Sequence, residues 1–191
     1  MRISIDLDGT IFKTYERLAR AFQIHFKKTQ SLIELVTGHG LTDEEREWVY
    51  HHYFDLDIAY IGLPVYKDAI PVIQSLAKHH EIYFVSGRPL KFLHLTGYEL
   101  AKHKLPIDNL FLVPRDKKIS FILDLKPDIV IEDEYPIVYE LASRGITAII
   151  LEREWNVEWL DTFQQPITLI RVKDWLTIRE IIELKSKKGG E

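Results

Sequence analysis

The sequence predicts an α/β protein with a doubly wound parallel sheet and a small helical module inserted after the first strand. Two observations support this fold class. From Glu81 onward, short β-branched runs alternate with helical patterns, and strands that alternate with helices form parallel sheets covered on both faces. Before Glu81, about 75 residues separate the first strand from the second, and a connection of that length in a compact domain must contain helices.

The first strand and the first helices follow from local patterns. Residues 2–6 alternate polar and apolar side chains and run into Asp8-Gly9, a pair typical of turns, so the first strand is predicted to end at a carboxylate. Between residues 18 and 36, apolar residues recur at helical spacing, which predicts one helix or a broken pair. The glycines on either side of His39 would end it.

Two further helices are predicted before the second strand. Thr42, followed three residues later by Glu45, is typical of a capping box that opens a helix running toward Asp57. Another helix begins near Tyr66 and stops at a histidine pair, whose protonatable groups suit a helix C-terminus. The predicted domains are a helical cap of residues 13–69 and a core of residues 1–12 and 70–191.

The remaining elements alternate in chain order. The predicted strands are residues 81–85, 110–113, 129–131, 147–151 and 167–172, and the predicted helices are residues 91–103, 119–125, 137–144 and a last one from Trp175. Residues 185–191, with paired lysines and paired glycines, are predicted to be a frayed chain end. No internal repeat or low-complexity tract interrupts this order.

Composition and charge exclude several classes of protein. The net charge of −4 over 191 residues provides no broad cationic field, which disfavours a protein that coats nucleic acid. Cysteine is absent, which removes disulfides, thiolate metal sites and cysteine nucleophiles. No apolar run approaches the roughly 18 residues of a membrane span, and the acidic start of the chain is unlike a secretory signal. We therefore expect a soluble, cytoplasmic protein with no membrane partner.

Polar and charged groups follow several predicted strands, at the point where each strand ends. They are Asp6 and Asp8 after the first strand, Ser86 after the second, Lys117 shortly after the third and Asp133 after the fourth. The carboxyl ends of neighbouring parallel strands meet in one crevice, so these groups should converge. Three converging carboxylates repel one another unless a cation lies among them, and an all-oxygen ligand set favours Mg²⁺.

The same groups suit phosphate chemistry. The metal ion and Lys117 would attract a dianionic phosphate, while Ser86 would bind its oxygens, cap the following helix, or both. As nucleophile, Asp6 would form an aspartyl phosphate, which divides one difficult displacement into two easier steps. Asp8 would protonate the leaving oxygen and later take a proton from the attacking water. Thr10 would fix the tight turn through its hydroxyl.

Four segments, in this order along about 130 residues, resemble the motifs of the haloacid dehalogenase (HAD) superfamily of phosphohydrolases. They are Asp-Leu-Asp-Gly-Thr at 6–10, Val-Ser-Gly-Arg-Pro at 85–89, Arg-Asp-Lys at 115–117 and Ile-Glu-Asp at 131–133. The resemblance implies an HAD-like core in which the helical insertion is the cap. The residues it implies are Asp6 as nucleophile, Asp8 as acid/base, Ser86 and Lys117 as phosphate binders, and Asp6, Asp133 and the Asp8 carbonyl as Mg²⁺ ligands. Thr10 and Gly87, next to these motif residues, are further candidate phosphate binders.

The predicted cap resembles that of one branch of the superfamily. A small, all-helical cap, together with Arg-Asp-Lys shortly before Ile-Glu-Asp, is similar to the 5'(3')-deoxyribonucleotidase branch, in which Asp usually stands where this chain has Glu132. That branch implies a nucleoside monophosphate as substrate. Nine aromatic residues lie between Phe12 and Tyr60. Phe12 and Tyr15, the nearest to the first motif, are predicted to face the crevice and stack on a substrate ring.

Some residue assignments have a competing interpretation. Lys118 competes with its neighbour Lys117 for the phosphate, and one of the two would be a solvated surface charge. Glu132 or Glu134 would either orient a metal-bound water or simply face solvent. Arg88 is expected to be a surface residue or a strut.

Three alternatives to a nucleotidase remain at the level of function. A sugar-phosphate or broad-specificity phosphatase would use the same groups on other esters. A non-catalytic HAD-like binding module would keep only the fold, although every group that the reaction needs is present. A phosphoacceptor receiver domain also joins Asp, Lys and Mg²⁺, but without a Gly-Thr after the acidic pair or a long helical insertion. Because residues 13–69 carry seven basic and nine acidic residues, a small phosphate ester fits better than a long nucleic acid.

Overall fold

The computed structural model describes residues 1–188 and contains the predicted parallel sheet. The strands in this part of the chain are β1 (Arg2–Ile5), β2 (Glu81–Ser86), β3 (Leu110–Leu112), β4 (Ile129–Glu132), β5 (Thr147–Leu151) and β6 (Leu169–Val172). They form one sheet in the order β3-β2-β1-β4-β5-β6, and each neighbouring pair is parallel. The doubly wound α/β fold class is confirmed.

Both faces of the sheet are covered, which explains why its strands are apolar at consecutive positions. In β4, Ile129 and Ile131 pack on one face and Val130 packs on the other. Successive side chains of a strand point to opposite faces, so a strand buried on both faces needs an uninterrupted apolar run. The polar groups that follow the strands therefore lie beyond the sealed faces, at the ends of the strands.

Helices provide this cover. Those within residues 1–188 are α1 (Thr14–Phe26), α2 (Leu32–Thr37), α3 (Asp43–Glu47), α4 (Ala69–Leu76), α5 (Leu93–Lys102), α6 (Lys118–Leu125), α7 (Tyr135–Ser143), α8 (Val157–Thr162) and α9 (Trp175–Lys188). Helices α4 and α9 pack on one face, and α6 and α7 pack on the other. None of these helices combines the length and the apolar character needed to cross a membrane.

Two helices in the C-terminal part of the chain differ from the prediction. Helix α8, which follows β5, was not predicted from the sequence. Residues 185–188, predicted to be part of a frayed end, belong to α9. Residues 189–191, the rest of that predicted end, lie outside the described residues.

The segment between β1 and β2 is helical, as predicted, but more broken than expected. The capping box of Thr42 and Glu45 is present, since each backbone N–H donates to the other side chain. After α3, however, the chain continues as one π-helical turn and two 3₁₀ turns over residues 48–59. The 3₁₀ turns are tighter than an α-helical turn and the π-helical turn is wider. The side chains of residues 48–59 therefore do not point where one continuous α-helix would place them.

The insertion has a hydrophobic interior, and the two segments that connect it to the core are hydrogen-bonded to each other. Its buried side chains include Leu18, Phe22, Leu35, Leu41, Val49, Tyr53, Ala59 and Tyr60, and the core residues Phe92 and Leu112 join the same cluster. Where the chain leaves and returns, the Lys13 N–H donates to the Pro64 carbonyl at 2.8 Å and the Tyr66 N–H to the Ile11 carbonyl at 2.9 Å. This arrangement supports the proposal that residues 13–69 form a cap.

Candidate active site

Two neighbouring strands, β1 and β4, deliver three acidic side chains to one place. Asp6 follows β1, Glu132 is the last residue of β4, and Asp133 follows it. Carboxylate oxygens of the three lie within 4.8 Å of one another, and the residues are 5%, 1% and 0% exposed. The sheet order explains the meeting, because β1 and β4 are parallel, hydrogen-bonded neighbours whose carboxyl ends lie side by side.

Lys118, the first residue of α6, supplies a cation to this acidic cluster. Its Nζ lies 2.6 Å from Asp6 Oδ1 and also donates to Glu132, and 2% of its side chain is exposed. Lys117 lies in the preceding 3₁₀ turn, with 70% of its side chain exposed and Asp116 at 3.7 Å. The prediction that Lys117 faces the site is therefore wrong, and Lys118 is the lysine that contacts the acidic cluster. Successive helical residues point about 100° apart, so only one of the two can face the cluster.

The charges of the acidic cluster do not balance. Burial, and then the charge of Glu132, raises the pKa of Asp6 well above its usual value, and the same two causes raise the pKa of Asp133. Burial alone would lower the pKa of Lys118, but Asp6 and Glu132 raise it well above its usual value, so the ammonium stays charged. One ammonium does not offset three carboxylates. A divalent cation would offset the excess, and the all-oxygen donor set suits Mg²⁺.

Asp8 is paired separately, with Arg88. The Arg88 Nε and Nη2 atoms donate to the two Asp8 oxygens, both at 2.7 Å, and Thr14 donates to the same carboxylate. Burial would raise the pKa of Asp8, but the charge and hydrogen bonds of Arg88 lower it, which keeps the carboxylate ionised. Arg88 is itself buried, with its guanidinium over the rings of Phe12 and Tyr60. Of the two roles expected for Arg88, surface residue or strut, its burial excludes the first and its contacts with Asp8 fit the second.

The predicted phosphate-binding residues have different surroundings. Ser86, the last residue of β2, is buried and places its Oγ 3.5 Å from Asp8 Oδ2. Gly87 borders open space, since a Cβ there would meet no atom of residues 1–188 within 4 Å. Thr10 is fully buried and its hydroxyl donates to Asp133 Oδ1 at 2.8 Å. The Thr10 side chain therefore holds Asp133 and is not free to bind a phosphate, which corrects its predicted role.

Glu132 and Glu134, which flank Asp133, differ in their contacts. Glu132 Oε2 accepts the backbone N–H groups of Asp133 at 2.9 Å and of Glu134 at 3.1 Å, so it shapes the turn after β4. Glu134 pairs with Arg115 and lines a cleft beside the cluster. Glu132 therefore belongs with the group of candidate metal ligands and Glu134 with the wall of the cleft.

This cleft, of about 390 Å³, lies between the core and the insertion. Its core side includes Asp6, Asp8, Ser86 and Gly87, and its aromatic lining consists of Tyr15, Tyr50, Phe54 and Tyr60 from the insertion. Phe12, also predicted to face the substrate, is 1% exposed and packs in the main hydrophobic core, so that prediction is wrong. Tyr50 and Phe54 were missed, although they lie in the aromatic-rich stretch that the sequence shows.

The chain is similar to known proteins in sequence and in fold. No family model matches the chain. A nucleotidase from Clostridium acetobutylicum is 26% identical over 196 residues, covering 99% of this chain and 97% of that protein. The structure of a predicted phosphatase from the same species covers 95% of this chain and 97% of its own, with 16% identity and a TM-score of 0.64. That of an HAD family hydrolase from Deinococcus radiodurans, with bound phosphate and sodium, covers 95% and 94%, with 15% identity and a TM-score of 0.62. The chain shares the fold of these HAD hydrolase and phosphatase structures.

Two side chains that contact the motif residues were not found from the sequence. The Trp155 Nε1–H donates to Asp133 Oδ2, and the Asn156 Nδ2–H donates to the Asp133 carbonyl, both at 2.9 Å. Both residues are buried and follow β5. No local pattern could indicate these contacts, because they depend on β5 lying beside β4.

Gly9 is required for the motif residues to meet. Its φ is +82°, and a Cβ at this position would lie 2.3 Å from Asp133 Oδ2. We expect Gly9→Ala to lower the free energy of unfolding by about 2 kcal/mol or more, because the cost of a left-handed backbone adds to the clash. Urea denaturation followed by circular dichroism measures this loss.

Gly62→Ala is the matched control for Gly9→Ala. Gly62 also has a positive φ, +60°, but a Cβ there meets no atom of residues 1–188 within 4 Å. It should therefore show only the backbone cost, about 1 kcal/mol. Equal losses in the two variants would show that the approach of Gly9 to Asp133 does not constrain the fold.

Proposed function

We propose that the protein is a magnesium-dependent phosphomonoesterase that acts on nucleoside monophosphates through an aspartyl phosphate on Asp6. One observation carries the proposal: a buried cluster of three carboxylates, served by the single ammonium of Lys118, adjoins a cleft that Asp6 lines. The nucleotidase name of the relative from C. acetobutylicum supports the substrate class.

Asp6, Asp133 and the main-chain carbonyl of Asp8 are the groups proposed to hold Mg²⁺. The excess negative charge of the acidic cluster supports a divalent ion there, and carboxylate and carbonyl oxygens are the donors that Mg²⁺ prefers. When bound, Mg²⁺ would neutralise the carboxylates and the phosphoryl oxygens together.

Asp6 is the proposed nucleophile. Its carboxylate oxygen would attack phosphorus while the bond from phosphorus to the ester oxygen breaks, so that the alcohol leaves and Asp6 carries the phosphoryl group. Lys118, which lies beside Asp6, would stabilise the negative charge on that group during transfer. Water would then attack the same phosphorus, release inorganic phosphate and restore the Asp6 carboxylate.

Asp8 is proposed to move the protons of both steps. It would give a proton to the leaving alcohol and take one from the attacking water. The proton that Asp8 takes from water in the second step is the one it gives to the next leaving alcohol, and Arg88, which lowers the pKa of Asp8, favours its release. Ser86 and the backbone of Gly87 line the cleft beside Asp8 and are proposed to donate hydrogen bonds to the phosphoryl oxygens.

The size and lining of the cleft support a nucleotide over a sugar phosphate. Its volume of about 390 Å³ lies within the range of small-molecule sites, about 300–1,000 Å³. Tyr15, Tyr50 and Phe54 provide flat apolar surface on which a nucleobase would stack. A sugar phosphate would leave these rings without a partner.

The direct test of the proposal is hydrolysis of p-nitrophenyl phosphate with Mg²⁺ or with EDTA. We expect turnover only with Mg²⁺, and none for Asp6→Asn, because an amide does not attack phosphorus. A panel of nucleoside and sugar monophosphates, followed by phosphate release, then identifies the substrate class. Full activity of Asp6→Asn would exclude Asp6 as the nucleophile, and a preference for sugar phosphates would replace the nucleotidase assignment.

The two adjacent lysines offer a matched pair of variants. We expect Lys118→Met to lower kcat by about 100-fold or more, the usual effect of removing one group that stabilises transition-state charge. Lys117→Met should leave kcat within about twofold of wild type, because its side chain is 70% exposed and points away from the acidic cluster. Steady-state kinetics, with circular dichroism to confirm folding, measures both. A larger loss in Lys117→Met than in Lys118→Met would reverse the assignment.

The aromatic lining gives a test of substrate class. We expect Tyr50→Ala and Phe54→Ala to raise KM for nucleoside monophosphates by about 10-fold, since stacking of one base on one ring contributes about 1–3 kcal/mol. The KM for glycerol phosphate, which has no ring, should not change. Tyr98→Ala removes a 62% exposed ring outside the cleft and is the control. If KM rises equally for both substrates, the rings do not contact a base.

A further inference from the structure

The loop between β5 and α8 contacts both acidic loops of the site. The Arg153 Nε–H donates to the Gly9 carbonyl at 2.8 Å, and the Asn156 side chain donates to the Asp133 carbonyl at 2.9 Å. Between them, Trp155 donates its indole N–H to a carboxylate oxygen of Asp133 at 2.9 Å. This loop therefore donates hydrogen bonds both to the main-chain carbonyl and to the side-chain carboxylate of Asp133.

Both carboxylate oxygens of Asp133 are tied to buried donors. Thr10 donates to Oδ1 at 2.8 Å, and Trp155 donates to Oδ2 at 2.9 Å. Each carboxylate oxygen can accept two partners, so one hydrogen bond to each leaves acceptor capacity on both. The two bonds fix the plane of the carboxylate, and they do so with neutral groups that add no positive charge to compete with a cation.

The indole ring of Trp155 is itself held in place. It is 7% exposed, and its centroid lies 5.0 Å from that of Tyr15, with the rings at 71°. Tyr15 lies on α1 and lines the cleft. The direction of the indole N–H is therefore set by packing between the acidic cluster and the insertion.

We propose that Trp155 is a positioning residue that orients the Asp133 carboxylate for a divalent cation. The proposal rests on the proposed function, because it concerns the same site. Groups that hydrogen-bond to a metal ligand fix its orientation, and their loss typically weakens metal binding by about 10- to 100-fold. The alternative is that Trp155 serves only to pack the loop.

The test is direct titration of Mg²⁺ into Trp155→Phe by isothermal calorimetry. Phenylalanine keeps an aromatic ring beside Tyr15 but has no N–H, so we expect the Kd for Mg²⁺ to rise by about 10-fold. Trp159→Phe is the control, because Trp159 lies on the neighbouring helix α8 and is 45% exposed. Its Kd should remain within about twofold of wild type. A Trp155→Phe Kd equal to that of the control would overturn the proposal.

A second measurement follows the response of the wild-type chain to Mg²⁺. The chain has four tryptophans, and each gives one indole N–H signal in a ¹⁵N-labelled sample. We expect Mg²⁺ to shift the signal of Trp155 more than those of Trp48 and Trp159. The Trp→Phe variant at each of these three positions assigns its signal. Saturation with Mg²⁺ without movement of the Trp155 signal would contradict the proposal.

Failure of this inference differs from failure of the proposed function. A wild-type protein that binds Mg²⁺ with the expected dependence on Trp155, but hydrolyses no phosphate ester, would overturn the function and support the role of Trp155. An active, Mg²⁺-dependent enzyme whose Mg²⁺ affinity is unchanged in Trp155→Phe would overturn the role of Trp155 alone. No binding of Mg²⁺ to the wild type would overturn both.

Discussion

The ion pairs of Lys118 with Asp6 and Glu132 are the constraint on which the rest of the site depends. Moving an ion out of water costs several kcal/mol, and only a partner of opposite charge at contact distance offsets that cost. Lys118 lies 112 residues from Asp6 along the chain, so the pairing requires β1, β4 and the start of α6 to meet. The strand order satisfies this requirement, because β1 pairs with β4 and α6 connects β3 to β4.

Charged and neutral partners have different roles around these carboxylates. Asp8 forms an ion pair with Arg88, so its charge is balanced. Asp133 accepts hydrogen bonds from Thr10 and Trp155, which orient the carboxylate but do not neutralise it. The uncompensated charge of the site is therefore located where the carboxyl ends of β1 and β4 meet. A cation bound there would neutralise the negative charge that the protein side chains do not offset.

The sequence predicts which functional side chains lie at strand ends, but it does not predict which residues those side chains contact. Asp6 and Asp133 were found because β-branched runs mark strands, and residues that follow parallel strands share one end of the sheet. Lys117 and Lys118 differ by one position, and the choice between them depends on a short 3₁₀ turn with no distinct sequence pattern. Trp155 was missed for another reason: its contact with Asp133 exists only because β5 pairs with β4.

The aromatic residues of the insertion show the same limit. Phe12 was expected to face the substrate because it follows the first motif, but its ring packs into the core beneath Arg88. Rings that do line the cleft come from α1 and from the π-helical and 3₁₀ turns of the insertion. The carboxylates thus belong to the core and the aromatic wall to the insertion. Arg88 joins the two, since it pairs with Asp8 and lies over Tyr60. Arg88 therefore contributes both to the orientation of Asp8 and to the position of the insertion.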